Sequence, residues 1–417
     1  MQLLRFITAG SVDDGKSTLI GRLLFDSKVL LRDQLAALGR AARGGETTLN
    51  LALLTDGLRA EREQGITIDV AYKYFTTPRR RFIIADTPGH VQYTRNMVTG
   101  ASTADLAVLL VDARLGILEQ TRRHAYLAAM LGIPSIVLAL NKMDLVGFDE
   151  QVFTRIRDEF LAIVAPFKFP DIATIPLSAL RGDNVVEPST DMPWFTGRPL
   201  LRHLEEVEIR DRTDPHRGRF PVQVVIRPGD DAHHDYRGFA GQVASGVFRV
   251  GDEVVIQPSG LRSVVSAIER YGEPVDEVHA GASATLQLRD DVDVGRGEII
   301  ATAAAPPRVS REVVAQVCWM AERPLVAGAK YLLRQATSGA KAMVSDLQSL
   351  VDIDTFTNQP RPAQLSKNDI GLVHLKTAQP IAFDAYDDVH GTGAFILVDE
   401  TSNGTVASGM IRGSVEN

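Results

Sequence analysis

The sequence predicts a multidomain chain: an α/β domain with a mostly parallel sheet and helices on both faces, followed by two small antiparallel β-barrels. Three observations predict it. Over roughly the first 200 residues, short apolar runs alternate with helical patterns, as βα units do. Polar clusters stand directly after the apolar runs, where open α/β sheets hold ligands. Beyond residue 218 the helical patterns stop, and short alternating strands with Gly-rich turns take over.

Each element follows in order. "LLRFITAG" reads as a strand and "KSTLIGRLLFDS" as a helix with Leu19, Leu23 and Leu24 on one face. A long insertion, 26–67, comes next; segments of this length inside a compact domain are usually functional. It contains a candidate amphipathic helix, "VLLRDQLAALGRAA". "ITIDVAYKYFTT" and "RFIIADT" are strands joined by "PRRR", and Arg79, Arg80 and Arg81 read as a solvated hairpin turn. A helix near 91–100 leads to strand "LAVLLVDA", helix "EQTRRHAYLAAMLG", strand "SIVLALNK", a helix over 149–164 and strand "ATIPLSA". Strands apolar on both sides suit a buried parallel sheet. "MPWFTGRPLLRHLEEVEI" reads as the last helix of a domain spanning 1–209. The charged "RDRTDPHRG", 210–218, is a linker. Strand-rich segments 219–305 and 306–417, divided at Pro306-Pro307, form the barrels.

The 417 residues are 45% hydrophobic and 23% charged, as in an ordinary globular protein. The net charge of -7 argues against a general nucleic-acid coat. The single cysteine, Cys318, excludes an internal disulfide and reads as a core residue of an apolar strand. "MQLLRFITAG" has no leader pattern, and apolar runs such as "LAVLLV" fall far short of the roughly 18 residues of a membrane span. A cytoplasmic protein without membrane association is expected. His233-His234 lack zinc-like partners nearby and read as a loop of the first barrel.

"GSVDDGKST" has the Gly-x4-Gly-Lys-Ser spacing of a phosphate-binding loop, between a strand and a helix. Gly10 and Gly15 allow the tight turn, and the backbone of Ser11, Val12, Asp13 and Asp14 wraps the phosphates. Lys16 would reach the β and γ phosphates and Ser17 would ligate Mg²⁺. Thr18 lies in the first helical turn, where the helix dipole favours anions. In "DTPGH", Asp86 would hold Mg²⁺ through water, and the Gly89 amide, presented by Thr87 and Pro88, would sense the γ-phosphate. His90 stands where a water-orienting group belongs. In "GITID", Thr67 is a second Mg²⁺ hydroxyl ligand, held when the γ-phosphate is present.

In "NKMD", Asp144 would accept from guanine N1–H and the exocyclic amine, and adenine offers neither donor. Asn141 fixes the loop, the Lys142 stem covers the ring, and Met143 sits between them and Asp144. "SAL", Ser178, Ala179 and Leu180, would supply a backbone N–H to guanine O6. Five elements in this order imply a GTP-hydrolysing switch.

This arrangement resembles the translational GTPase superfamily of elongation factor Tu, a G domain followed by two barrels, over nearly the whole chain. "REQGITI", "DTPGH", "NMVTGAS", "NKMDLV" and "FRVGDEVVIQPSG" carry the likeness. The elongation factors usually read Gly-His-Val-Asp-His-Gly-Lys, and here Ser11 and Asp14 replace the histidines. "GSVDDGKSTLIGRLL", "LALLTDGLRAEREQGITIDVAYKYF" and "VDARLGILEQTRRHAYLA" are similar to the GTPase subunit of bacterial sulfate adenylyltransferase (ATP sulfurylase).

That resemblance implies a partner, a smaller nucleotidyltransferase subunit that makes adenylyl sulfate and pyrophosphate from ATP and sulfate. It implies an assembly of heterodimers in which GTP hydrolysis drives this uphill first step of sulfate assimilation. It also implies a monovalent cation near Asp13. The adenylyltransferase motif His-x-Gly-His and a second phosphate-binding loop are both missing, so neither sulfate chemistry nor a fused kinase is expected in these residues. The alternative is an elongation-factor-Tu-like translation GTPase that binds tRNA.

Overall fold

The computed structural model describes residues 2–27, 69–90, 93–167, 169–209, 214–228 and 236–415. The chain divides into two compact units, the first made of Met1–Arg210 and Ile353–Thr355. Thr67, most of the 26–67 insertion with its candidate helix, and His233-His234 lie outside the described residues.

The first unit is a six-stranded sheet. Its strands are β1 (Leu3–Ala9), β2 (Ala71–Thr76), β3 (Arg81–Asp86), β4 (Leu106–Asp112), β5 (Ser135–Asn141) and β6 (Asp171–Pro176). The spatial order is β2-β3-β1-β4-β5-β6. Every neighbouring pair is parallel except the β2–β3 hairpin. β4 and β5 are buried at every position, so both faces of the sheet are covered. On one face, α1 (Lys16–Asp26) and α5 (Leu200–Glu206) share a core with Leu4, Phe6, Leu106, Val108 and Leu110. The intervening helices α2 (Thr94–Ala101), α3 (Glu119–Met130) and α4 (Glu150–Val164) pack on β1, β4 and β5. Leu19 and Leu23 of α1 are wholly buried, each contributing about 2 kcal/mol. This packing fixes the helix that begins at Lys16.

Two expectations need correction. The last helix covers only Leu200–Glu206. Pro193, Gly197 and Pro199 keep the preceding stretch in turns. The hairpin arginines are not all solvated: the Arg80 guanidinium is buried and donates to the carbonyls of Leu204 (2.9 Å) and Val207 (2.7 Å). It therefore closes the C-terminal end of α5, whose last carbonyls lack helical partners.

The second unit holds two six-stranded antiparallel barrels. In the first, Glu253–Gln257, Ile299–Thr302, Arg219–Ile226, Gly238–Gln242, Ser283–Leu288 and Leu261–Arg270 follow one another, and the last pairs back on the first. In the second the order is Lys330–Gln335, Ala394–Val398, Thr405–Ser414, Arg308–Trp319, Ile370–Phe383 and Ser338–Val351, closed in the same way. Closure leaves no long edge to pair with other chains. Cys318 is a wholly buried core residue, as its apolar strand predicts. Between the barrels, buried Arg219 grips Asp384 with two bonds of 2.8 Å, and the Thr392 hydroxyl donates to the same carboxylate at 2.6 Å. Among the described residues no helix is long and apolar enough to cross a membrane.

Candidate nucleotide-binding site

The loops after β1, β3, β4, β5 and β6 gather at one edge of the sheet, where their strands' parallel direction delivers every C-terminal end. Between β1 and α1 the chain turns through residues 10–15. Gly15 adopts φ +93°, and a Cβ there would lie 2.4 Å from the Asn141 amide nitrogen. A Cβ on Gly10 would meet the Leu110 carbonyl oxygen at 2.8 Å. Both positions therefore require glycine.

Inside the loop, the Ser11 amide donates to the buried Asp14 carboxylate. Burial pushes the Asp14 carboxyl up, and Lys16 pulls it back only in part. Lys16 is buried and donates from Nζ to the carbonyls of Gly10 (2.9 Å) and Ser11 (3.0 Å). Burial pulls its pKa down, against the attraction of Asp86, Asp14 and Asp13. Val12 and Asp13 are exposed, Asp13 at φ +69°. Ser17 and Thr18 occupy the first turn of α1, half-buried.

At the end of β3, buried Asp86 accepts from the Thr8 hydroxyl (3.2 Å), and the Thr87 hydroxyl donates to the Thr8 carbonyl (2.8 Å). After Pro88, the chain lies against the phosphate loop: a Cβ on Gly89 would stand 2.4 Å from the Gly10 oxygen and 2.6 Å from Lys16 Nζ. His90 is exposed, its ring 6.1 Å from that of Tyr93, whose amide donates to the His90 carbonyl (3.0 Å). Ser17 and Asp86 offer hard oxygen donors, which suit Mg²⁺. Among the described residues no three His, Cys, Asp or Glu side chains form a metal cluster. A Mg²⁺ bound largely through hydroxyl, water and phosphate oxygens would need none.

The base-side loops are laced to the phosphate loop. Buried Asn141 donates from Nδ2 to the Asp14 carbonyl (2.7 Å) and accepts the Ala179 amide on Oδ1 (2.9 Å). Lys142 donates to the Asp13 carbonyl and lies 2.9 Å from Asp112. Met143 is buried, its amide on the Leu177 carbonyl at 3.2 Å, and Asp144 is half-buried in the 3-10 turn Met143–Val146. The Ser178 amide donates to the Asp183 carbonyl (3.1 Å). Leu180 therefore has the one amide of the three with no partner among the described residues.

Sequence reading missed three supports. Arg22 of α1 donates to the carbonyls of Ala179 (3.2 Å) and Leu180. Thr8 orients Asp86, and Asp112 with Arg114 flanks Lys142. Asp112 alone had a usable signal, since it ends a buried strand at the ligand edge.

The family model "Elongation factor Tu GTP binding domain" matches residues 1–226, more than half of the chain. "GTP-eEF1A C-terminal domain-like" matches 312–412. Sulfate adenylyltransferase subunit 1 of Shewanella oneidensis is 51% identical over 416 residues, covering 98% of this chain and 85% of that protein. The chain belongs to the sulfate adenylyltransferase subunit 1 family. The bifunctional enzyme CysN/CysC of Mycobacterium tuberculosis is 52% identical over 411 residues, 98% of this chain and 67% of that protein. The bifunctional enzyme NodQ of a Rhizobium species is 50% identical over 412 residues, 98% of this chain and 63% of that protein. The chain thus spans about two thirds of these bifunctional relatives and most of the subunit 1 protein.

Proposed function

We propose that this chain binds and hydrolyses GTP to drive adenylyl sulfate formation by a smaller adenylyltransferase subunit. The observation that carries the nucleotide assignment is the lacing of three separate loops by Asn141 and Lys142, with Asp144 next in sequence. Family membership supports the sulfate role. The subunit 1 relatives do not favour a tRNA-binding translation role.

The residues divide the work. Residues 10–18 cradle the phosphates, with Lys16 exchanging its bonds to Gly10 and Ser11 for phosphate oxygens. Asp144 reads the guanine edge, the Lys142 stem covers the ring, and a 178–180 amide meets O6. Ser17 and, through water, Asp86 hold Mg²⁺, joined by Thr67. When bound, this ion neutralises phosphate charge. Exposed Asp13 is the loop carboxylate proposed for a monovalent cation, since that of Asp14 accepts the Ser11 amide. Gly89 senses the γ-phosphate and His90 orients the attacking water. Residues 26–67 are the switch that presents the nucleotide state to the partner. The proposed domain limits are 1–209, 219–305 and 306–417, and the buried thiol of Cys318 suits a reducing cytoplasm.

The experiment is adenylyl sulfate formation by the small subunit with and without this chain and GTP. Stimulation that needs both is expected, and no stimulation refutes the proposal. In the same assay His90→Ala should bind GTP normally and hydrolyse it about a hundredfold more slowly. Normal hydrolysis by that variant would remove His90 from the mechanism.

A further inference from the structure

We propose that Asp112 is a positioning residue for the guanine nucleotide, anchoring Lys142 so that one side chain ties the phosphate loop to the base-reading loop. The inference rests on the guanine site described above. Asp112 ends β4, which runs between β1, leading into the phosphate loop, and β5, leading into Asn141 and Lys142. It pairs in register with Asn141.

Lys142 turns through φ +64°, and its ammonium group has two fixed acceptors: an Asp112 carboxylate oxygen at 2.9 Å and the Asp13 carbonyl. A lysine side chain is rotamer-rich, and two acceptors remove most of that freedom before the ligand arrives. The anchor is itself held. Arg114 donates to Oδ1 from its backbone amide (2.9 Å) and Nε (3.0 Å), and to Oδ2 from its terminal nitrogen (2.6 Å). Burial pushes the Asp112 carboxyl up, but the bonds from Arg114 and Lys142 outweigh it and hold it far below the usual carboxylate range.

A specific signature follows. GTP and GDP share the base and the α and β phosphates, so loss of the tie weakens both equally. The γ-phosphate chemistry at Gly89 and His90 is untouched. In the full chain, Lys142→Met and Asp112→Asn should each weaken GDP and GTP binding by about tenfold. Turnover of Asp112→Asn at saturation should stay within about twofold. The double variant should bind no more weakly than either single one, because Asp112 acts through Lys142. Arg114→Ala, which loosens the anchor but leaves the Asp112–Lys142 pair and the Arg114 amide in place, should weaken both nucleotides less than Asp112→Asn does.

Additive losses in the double variant, or a fall in Asp112→Asn turnover matching its fall in affinity, overturn the proposal. Unchanged affinity in Lys142→Met overturns it whether or not Asp112→Asn folds. A wild-type chain that binds no GDP overturns the guanine site as well. A wild type that binds, with all variants equal to it, overturns the positioning role alone.

Discussion

The two units treat buried charge in opposite ways. In the barrels, Arg219 and Asp384 close on each other with two bonds, and Thr392 and the Gly218 carbonyl take further positions. At the ligand edge of the first unit, Lys16 is equally buried but bonds to loop carbonyls. The first arrangement is complete in itself and serves stability. The second holds a cation on weaker, exchangeable acceptors, in a loop whose two glycines let Leu110 and Asn141 approach closely. The Arg219–Asp384 pair therefore has nothing left to bind, whereas the Lys16 ammonium can exchange its carbonyls for a ligand's oxygens.

The largest expected effect would break this contrast from the site's side. Lys16→Ala should lose nucleotide binding by about 3–6 kcal/mol, from two or more charge-assisted bonds, while unfolding stability changes little. Nucleotide titration alongside denaturant unfolding checks both halves. A variant that binds normally, or one that simply unfolds, removes the distinction. From the barrels' side, Arg219→Ala should lower stability by about 3–5 kcal/mol by orphaning Asp384, with GDP affinity retained. Lost affinity at unchanged stability would reverse the assignment.

Acid offers a finer comparison. His124 of α3 is buried, and burial together with nearby Lys16 and Arg123 lowers its pKa from 6.5 to about 3. Between those values the unfolded chain carries the extra proton, so stability is lost as pH falls from 6.5 toward 3. The two tryptophans report the units separately, Trp194 in the first and Trp319 in the second. Trp194 should lose its native signal at higher pH than Trp319, and His124→Gln should narrow the gap. Identical transitions for both tryptophans would show that this histidine does not govern acid lability.

The features legible in the sequence were those with local causes. The apolar runs 106–111 and 136–140 announced β4 and β5, and fixed spacing announced the loops at 10–18, 86–90 and 141–144. Arg80 escaped because its acceptors, Leu204 and Val207, are 124 and 127 residues away, and nothing in a basic run reveals a helix end. The last helix was read too long because an apolar pattern survived across Pro193, Gly197 and Pro199, where the backbone cannot follow it. Asp14 stood inside a phosphate-binding motif, yet its carboxylate is bound within the loop, a bracing role that spacing does not disclose.

The central claim is that the nucleotide held by Asp144 powers chemistry in another subunit. Asp144→Asn replaces an acceptor by a group suited to xanthine. Adenylyl sulfate formation by the small subunit, with this variant and either GTP or XTP, tests the claim most directly. The account predicts that XTP drives the reaction and GTP no longer does. Continued drive by GTP, with XTP inert, would contradict it.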